Sequence, residues 1–225
     1  MPVHEHMVDL LELRPGEPFL DLACGTGGVA LVAARVGADV TGLDIAADQL
    51  AKARAAAEAA GLSIRFDEGD AQALPYPSAS FDAVASAFGM IFAPDHGRAA
   101  SELRRVCRTS ARIAITSWPE DDWTKLGARL RPDYEGQTAK LWSEEDHVRP
   151  LLADFDLRFE RGRATIGAES VDACWHLLST SVPPLKAWLE TLGPEERKHA
   201  GREYKQLLGG GSLTRDYVLI LGTLR

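Results

Sequence analysis

Several things are scarce in this chain, and each scarcity excludes a class of protein. Three cysteines, Cys24, Cys107 and Cys174, are odd in number and far apart. They offer neither a disulfide framework nor the spacing of a zinc site, and they fit a reducing compartment. Positive charge is short: 25 Lys and Arg against 33 Asp and Glu leave a formal charge of -8. A nucleic-acid backbone as main partner needs clustered cations, so it is not expected. Arg104, Arg105 and Arg108 read as a solvated helix face. No apolar run approaches the roughly 20 residues of a membrane span. The opening Met1-Pro2-Val3-His4-Glu5-His6 shows no basic-then-apolar signal pattern. The chain reads as soluble and cytoplasmic, with no membrane or nucleic-acid partner and as a monomer or homodimer. Its 225 residues suffice for a core without metal or disulfide.

What is present is rhythm. Residues 8–13 read as a short helix, ended by Arg14-Pro15-Gly16. Residues 18–23 are a strand, and 27–36 a helix of small apolar residues closed by Gly37. Residues 38–43 are a second strand. An alanine-rich helix follows over 47–60, stopped by Gly61. Strands are expected at 62–67, 81–87 and 112–118, with a helix from Asp95, a candidate N-cap, to Arg108. Strands alternating with helices in this way imply right-handed crossovers and a parallel sheet covered on both faces.

After Trp118 the rhythm breaks. Residues 119–139 read as polar and irregular. A helix is expected over 143–153, opened by a near-match capping box from Ser143 to Asp146. Residues 155–166 alternate as a strand, and 168–208 are mostly helical, with breaks at Pro183-Pro184 and Gly193-Pro194. Gly209-Gly210-Gly211 reads as a flexible joint before a final strand over 216–224. The two late strands are expected as an antiparallel pair at one sheet edge, with the intervening helices covering one end. A single domain over 1–225 is the simplest organisation. Residues 10–118 then form its first half, and 119–153 and 167–213 are cover segments; the motifs below make the first half the expected cofactor-binding part and the cover the substrate side.

The chemistry-bearing stretch begins where the first strand meets a glycine turn. Gly25, Gly27 and Ala30 fit a G-x-G-x-x-A pattern, with Asp44 at the end of the second strand. Glycines let the main chain approach a ligand, and the helix start offers free N–H groups. Asp44 is placed to accept hydrogen bonds from ribose hydroxyls. Asp21 lies inside an apolar strand, where a carboxylate is costly unless it is used. It could hold the turn or meet a cationic part of a ligand. Asp70 and Ala71 follow the third strand, where a carboxylate and an N–H can read an adenine edge.

The motifs Leu20-Asp21-Leu22-Ala23-Cys24-Gly25-Thr26-Gly27, Gly42-Leu43-Asp44, Gly69-Asp70-Ala71, Phe81-Asp82-Ala83-Val84 and Glu102-Leu103-Arg104-Arg105-Val106 occur in this order. In them the chain resembles class I S-adenosylmethionine-dependent methyltransferases, in the small-molecule branch that includes ubiquinone- and menaquinone-biosynthesis enzymes. The resemblance covers residues 10–118 well and the rest more weakly. It implies an α/β, doubly wound, mostly parallel sheet with an antiparallel C-terminal edge pair, the Rossmann-like methyltransferase fold, and a helical cover.

It also implies roles: Gly25, Thr26 and Gly27 beside the methionine part of S-adenosylmethionine, with Asp21 near its ammonium group. Asp44 would take the ribose, Ile45 would pack on the adenine, and Asp70 and Ala71 would read its edge. The Ser86 carbonyl would meet the ammonium group, and Phe88 and Met90 would floor the reactive methyl. S-adenosylhomocysteine would be the product. Two departures stand out: Arg108-Thr109-Ser110-Ala111-Arg112 replaces the usual glycine-rich turn before strand five, and the segment ahead of strand one is short.

Methyl transfer from a sulfonium needs alignment and water exclusion more than a fixed catalytic group. A general base matters only where the acceptor must lose a proton. His176, beside Trp175 on the cover, is the candidate base, against a core-packing alternative. His96 and His147 read as surface residues, and His4 and His6 reach the site only if the first helix folds across it. Tyr134 could line a pocket. Trp118, Phe88 and the Trp175-His176 pair are expected to enclose an apolar or aromatic small molecule. An NAD(P)-dependent oxidoreductase is the alternative that the glycine turn permits, although no Tyr-x-x-x-Lys pair is evident. A non-methylating enzyme or binding protein using the same pocket is another.

Overall fold

The computed structural model describes residues 2–131 and 135–225, with the side chains of 135–138, 181, 183 and 184 left aside. Seven strands form one sheet: β1 (Pro18–Leu22), β2 (Asp39–Asp44), β3 (Arg65–Glu68), β4 (Phe81–Ala87), β5 (Cys107–Ser117), β6 (Phe155–Gly167) and β7 (Ser212–Leu224). Their order across the sheet is β3-β2-β1-β4-β5-β7-β6. The pairs from β3 to β5 are parallel, and β7 runs antiparallel to both β5 and β6. The antiparallel edge pair expected from the late strands is therefore present. The order reverses between β1 and β4, and a crevice opens there beyond the carboxyl ends of the strands.

Helices cover both faces: α1 (Val3–Leu11), α2 (Gly28–Arg35), α3 (Ala47–Ala59), α4 (His96–Val106), α5 (Asp122–Leu130), α6 (Glu145–Leu151), α7 (Val171–Ser181), α8 (Pro183–Thr191) and α9 (Pro194–Lys205). One core joins Leu20, Leu22, Val84, Ile113 and Ile115 to Leu103 and Val106 of α4 and to Trp142. On the other face Phe19, Ala83, Ala85 and Ala114 meet Met7 and Leu11 of α1 and Val29, Ala30 and Ala33 of α2. The alanines keep that face shallow, so the helices sit close. A third core belongs to the cover, where Leu126, Cys174, Leu178, Leu185, Leu189 and Tyr204 pack together, with Leu213 of β7.

Three expectations change. Residues 119–139 contain a helix, α5, whose N-cap Asp121 accepts from Thr124 N at 2.9 Å while Thr124 Oγ1 accepts from Asp121 N at 2.8 Å. That box uses Thr where the usual pattern has Glu or Gln, and the composition concealed it. The box expected at Ser143 is absent: Glu144 is the N-cap of α6 without a side-chain bond, and Ser143 Oγ donates to Lys140 O. The glycine triplet is a turn into β7: Gly210 and Gly211 take positive φ and Ser212 N bonds Gly209 O at 3.2 Å. The unusual turn before strand five is absorbed into β5, with Phe81 opposite Cys107 and Ala83 opposite Arg112. Ser110 takes the left-handed conformation (φ 64°) that glycine would favour.

Candidate functional site

The β1–α2 turn is built on positive φ at Ala23 (55°), Gly25 (53°) and Gly27 (81°). A Cβ on Gly25 would meet nothing within 4 Å, so this stretch of backbone borders open space. A Cβ on Gly27 would press on Ala53 at 3.2 Å and Phe66 at 3.3 Å. Gly25 leaves room for the close approach of a ligand, and Gly27 serves packing of α2 against α3 and β3.

Asp44 ties the turn to β2. Its Oδ2 accepts from Gly25 N at 2.7 Å and its Oδ1 from Ala46 N at 2.9 Å. Each carboxylate oxygen keeps a further lone pair for hydroxyl donors. Beside it, Ile45 is 70 % exposed, an apolar side chain spread on the surface at the rim of the crevice. A carboxylate next to an uncovered aliphatic platform fits a ribose and its base.

Asp21 is buried and its Oδ2 accepts from Ala30 N in the first turn of α2 at 2.8 Å. It therefore holds the turn. Burial raises its carboxyl to about 7, opposed by the Ala30 bond and reinforced by the Asp44 charge. A cationic ligand group nearby would reverse that cost. Cys24, on the same turn, is pushed far above the ordinary thiol range, by burial first and then by Asp21 and Asp44. It is not a nucleophile.

Asp70 is engaged by its own loop, accepting from Gln72 N at 2.8 Å and from Gln72 Nε2. Ala71 packs partly buried against the core. A clamp holds the loop from below: Glu102 Oε2 accepts from Leu74 N at 2.7 Å, while Arg105 donates to Leu74 O and Tyr76 O and pairs with Glu102. The Glu102-to-Val106 motif is thus a brace for the loop after β3.

At β4, Ser86 is fully buried and its Oγ accepts from Met90 N at 3.0 Å. Phe88 takes φ 57° and its N–H donates to Thr116 Oγ1 at 3.0 Å. Gly89 lies against the β1 turn, since a Cβ there would come within 2.5 Å of the Ala23 carbonyl oxygen. Met90 is 1 % exposed and sits in the core, so it offers no floor to a ligand, contrary to expectation.

Phe88 and Trp118 do meet, stacked face to face at 3.8 Å. The guanidinium of Arg215 covers Trp118 at 4.3 Å from the ring centroid and is held by Asp121 at 2.6 and 3.1 Å. Tyr217 meets Phe88 edge-on at 5.9 Å, and its hydroxyl contacts His6 Nδ1 at 3.3 Å. The first helix thus folds across this side. His4 lies against Gly28, where a Cβ would collide with its ring at 2.3 Å, and burial lowers its pKa. Arg215, Thr116 and Tyr217 escaped the sequence reading. Thr116 had a signal, a polar residue inside an apolar strand, and Arg215 had none.

The remaining candidates fall elsewhere. Trp175 and His176 do not join Phe88 and Trp118. Trp175 stacks on Tyr204 of α9 at 5.6 Å, and His176 is exposed, with its carbonyl accepting from Thr180 Oγ1. Helical phase turns His176 away from the cover's core, whose buried α7 members are Cys174 and Leu178. His96 is buried rather than on the surface, with its Nδ1 2.9 Å from His147 Nε2 across α4 and α6. Burial and then His147 lower its pKa. Tyr134 lies outside the described residues.

Comparison with known proteins bears on the family and the fold. Residues 19–110 match the family described as "Methyltransferase domain". The uncharacterized protein Rv1403c of Mycobacterium tuberculosis is 39% identical over 173 residues, covering 73% of this chain and 63% of that protein. The chain thus spans somewhat under two thirds of the length of these relatives. The demethylmenaquinone methyltransferase of Thermus thermophilus is 45% identical over 114 residues, 50% of this chain and 52% of that enzyme. Among solved structures, the YcgJ protein of Bacillus subtilis superposes with a TM-score of 0.69 at 20% identity, covering 99% and 97% of the two chains. Residues 19–110 are thus a methyltransferase domain, and the seven-stranded sheet around them has the Rossmann-like methyltransferase fold.

Proposed function

We propose that the chain transfers a methyl group from S-adenosylmethionine to a small-molecule acceptor. The observation that carries this reading is the Asp44–Gly25 bond beside exposed Ile45: a carboxylate at the crevice rim, glycine backbone facing open space and an apolar platform. These residues fit an adenosyl group with an amino-acid tail. Asp44 would hold the ribose hydroxyls, Ile45 the base, and the Gly25–Gly27 backbone the tail, with Asp21 as counter-charge to the ammonium group. When bound, the cofactor supplies a methyl made electrophilic by a positive sulfur.

The chain's own part is positional. The Phe88–Trp118 stack gives a flat apolar wall at the ends of β4 and β5, fixed from behind by Arg215. Such a wall orients an apolar or aromatic acceptor and keeps water off the reacting atoms. None of the histidines placed above needs to serve as base, and His96 and His147 are occupied with each other. The acceptor's nucleophile is therefore proposed to be one that reacts without strong deprotonation by the protein.

The test is transfer of isotopically labelled methyl from S-adenosylmethionine into a deproteinised extract of small metabolites, read by mass spectrometry. Label in a small molecule, absent with Asp44→Ala, is the expected result. Label only in added protein or RNA, or none, overturns the reading.

A further inference from the structure

We infer that the cleft between α7 and α9 is a second binding site, for a small amphipathic anion: an apolar ring or alkyl chain bearing a carboxylate or phosphate. The cavity has a volume of about 590 Å³, within the range of small-molecule sites. Trp175, Leu192 and Pro194 supply its apolar part, and Arg197, Lys198 and Arg202 its charge. Lys205 also borders it, and among the described residues no acidic one does. The charged residues of this lining are all cations, on a chain of net charge -8.

The indole is a built surface. Trp175 is partly exposed and stacks on Tyr204 with planes 18° apart. It lies along α9 because Gly201 has no side chain: a Cβ there would be 3.3 Å from Nε1. Two of the cations are partly neutralised by carboxylates outside the lining, Lys198 by Glu195 at 2.7 Å and Lys205 by Asp172 at 2.6 Å. Arg197 donates to Leu192 O at 3.3 Å. Arg202 makes no hydrogen bond or ion pair among the described residues and is exposed. An aromatic face with an uncommitted guanidinium selects a ligand with a flat or chain-like body and an anionic head. Its described lining comes from α7, α9 and Leu192 and shares no residue with the crevice at Gly25 and Asp44, so the inference does not depend on methyl transfer.

Calorimetric titration of the full chain with 1-naphthyl phosphate and, separately, with dodecanoate tests this. Inorganic phosphate and 1-naphthol serve as controls. Saturable one-site binding of at least one amphiphile is expected, at least tenfold tighter than either control. Arg202→Glu with Arg197→Glu should weaken it at least tenfold at an unchanged thermal midpoint. Absence of binding by both amphiphiles, equal binding of inorganic phosphate, or indifference to the charge reversals overturns the proposal.

Discussion

Phe88 and Trp118 lie face to face, with ring centroids 3.8 Å apart and planes 7° from parallel. Arg215 adds a third layer and Asp121 anchors it, so a cap of α5 fixes the wall at the ends of β4 and β5. The Arg215 side chain is 9% exposed and that of Asp121 28%. Arg215→Met should cost about 2 to 3 kcal/mol in chemical denaturation, mostly by leaving Asp121 and the cap unpaired. Trp118→Ala should cost about 3 kcal/mol and lower methyl transfer far more than cofactor affinity. An equal loss of both would show that Trp118 supports the cofactor crevice rather than the acceptor.

Asp21 gives a pH signature. Its folded-state value of about 7 lies above the ordinary 3.8, so between these values the folded protein binds more protons than the unfolded chain. Stability therefore falls as pH rises through that window, by on the order of 4 kcal/mol at most. Asp21→Asn should remove this slope and be more stable than wild type at pH 8, as read by urea denaturation at pH 5 and 8. A cation beside Asp21 favours the ionised form. S-adenosylhomocysteine binding should then weaken below pH 7, by up to about tenfold for each pH unit, and release protons in calorimetry at pH 6.

Gly42 makes room for Phe66 and Cys24. A Cβ there would lie 2.7 Å from the Phe66 ring and 3.1 Å from Cys24 Sγ. Gly42→Ala should cost about 1 to 3 kcal/mol by overpacking and should weaken S-adenosylhomocysteine binding by displacing the Cys24–Gly25 turn. Unchanged thermal midpoint and affinity would mean that β2 and β3 can separate without disturbing the turn.

Glu102 braces the loop after β3. Arg105 holds its carboxyl below the ordinary range, with the Leu74 N–H assisting. That contribution is present above the ordinary glutamate value and is lost as pH falls through the lowered one. Glu102→Gln should leave the fold intact and raise hydrogen exchange at Leu74 while weakening adenosine-end binding several-fold. Exchange unchanged from wild type would locate the brace elsewhere.

Local signals made the first half of the fold legible. Asp95 is an N-cap accepting from Arg98 N, Gly37 follows α2 at φ 90°, and β4 spans Phe81–Ala87 as its composition requires. Each depends on neighbours in sequence. The turn glycines and Asp44 were legible for the same reason, because the motif is one strand–turn–helix–strand unit. What remained hidden depends on distant partners. Arg215 is an ordinary surface charge until Asp121, 94 residues away, turns it over Trp118. His96 reads as exposed until α6 brings His147 to it. Met90 reads as floor until Ser86 draws its backbone into a turn that buries it.

Lys186 of α8 reaches Asp48 of α3 at 3.6 Å, joining the cover to the helix beside Ile45. Lys186→Glu should raise the dissociation rate of S-adenosylhomocysteine at low salt and lose that effect at high salt, as read by stopped-flow fluorescence. An unchanged rate would mean that α8 does not guard the crevice.

The most direct test is calorimetric titration of wild type and Asp44→Ala with S-adenosylmethionine and S-adenosylhomocysteine, with NADH and NADPH alongside. Saturable binding of the sulfonium pair, lost or weakened at least tenfold in Asp44→Ala with no response to the nicotinamides, is the predicted result. Binding of a nicotinamide instead, or sulfonium binding indifferent to Asp44, would contradict the account.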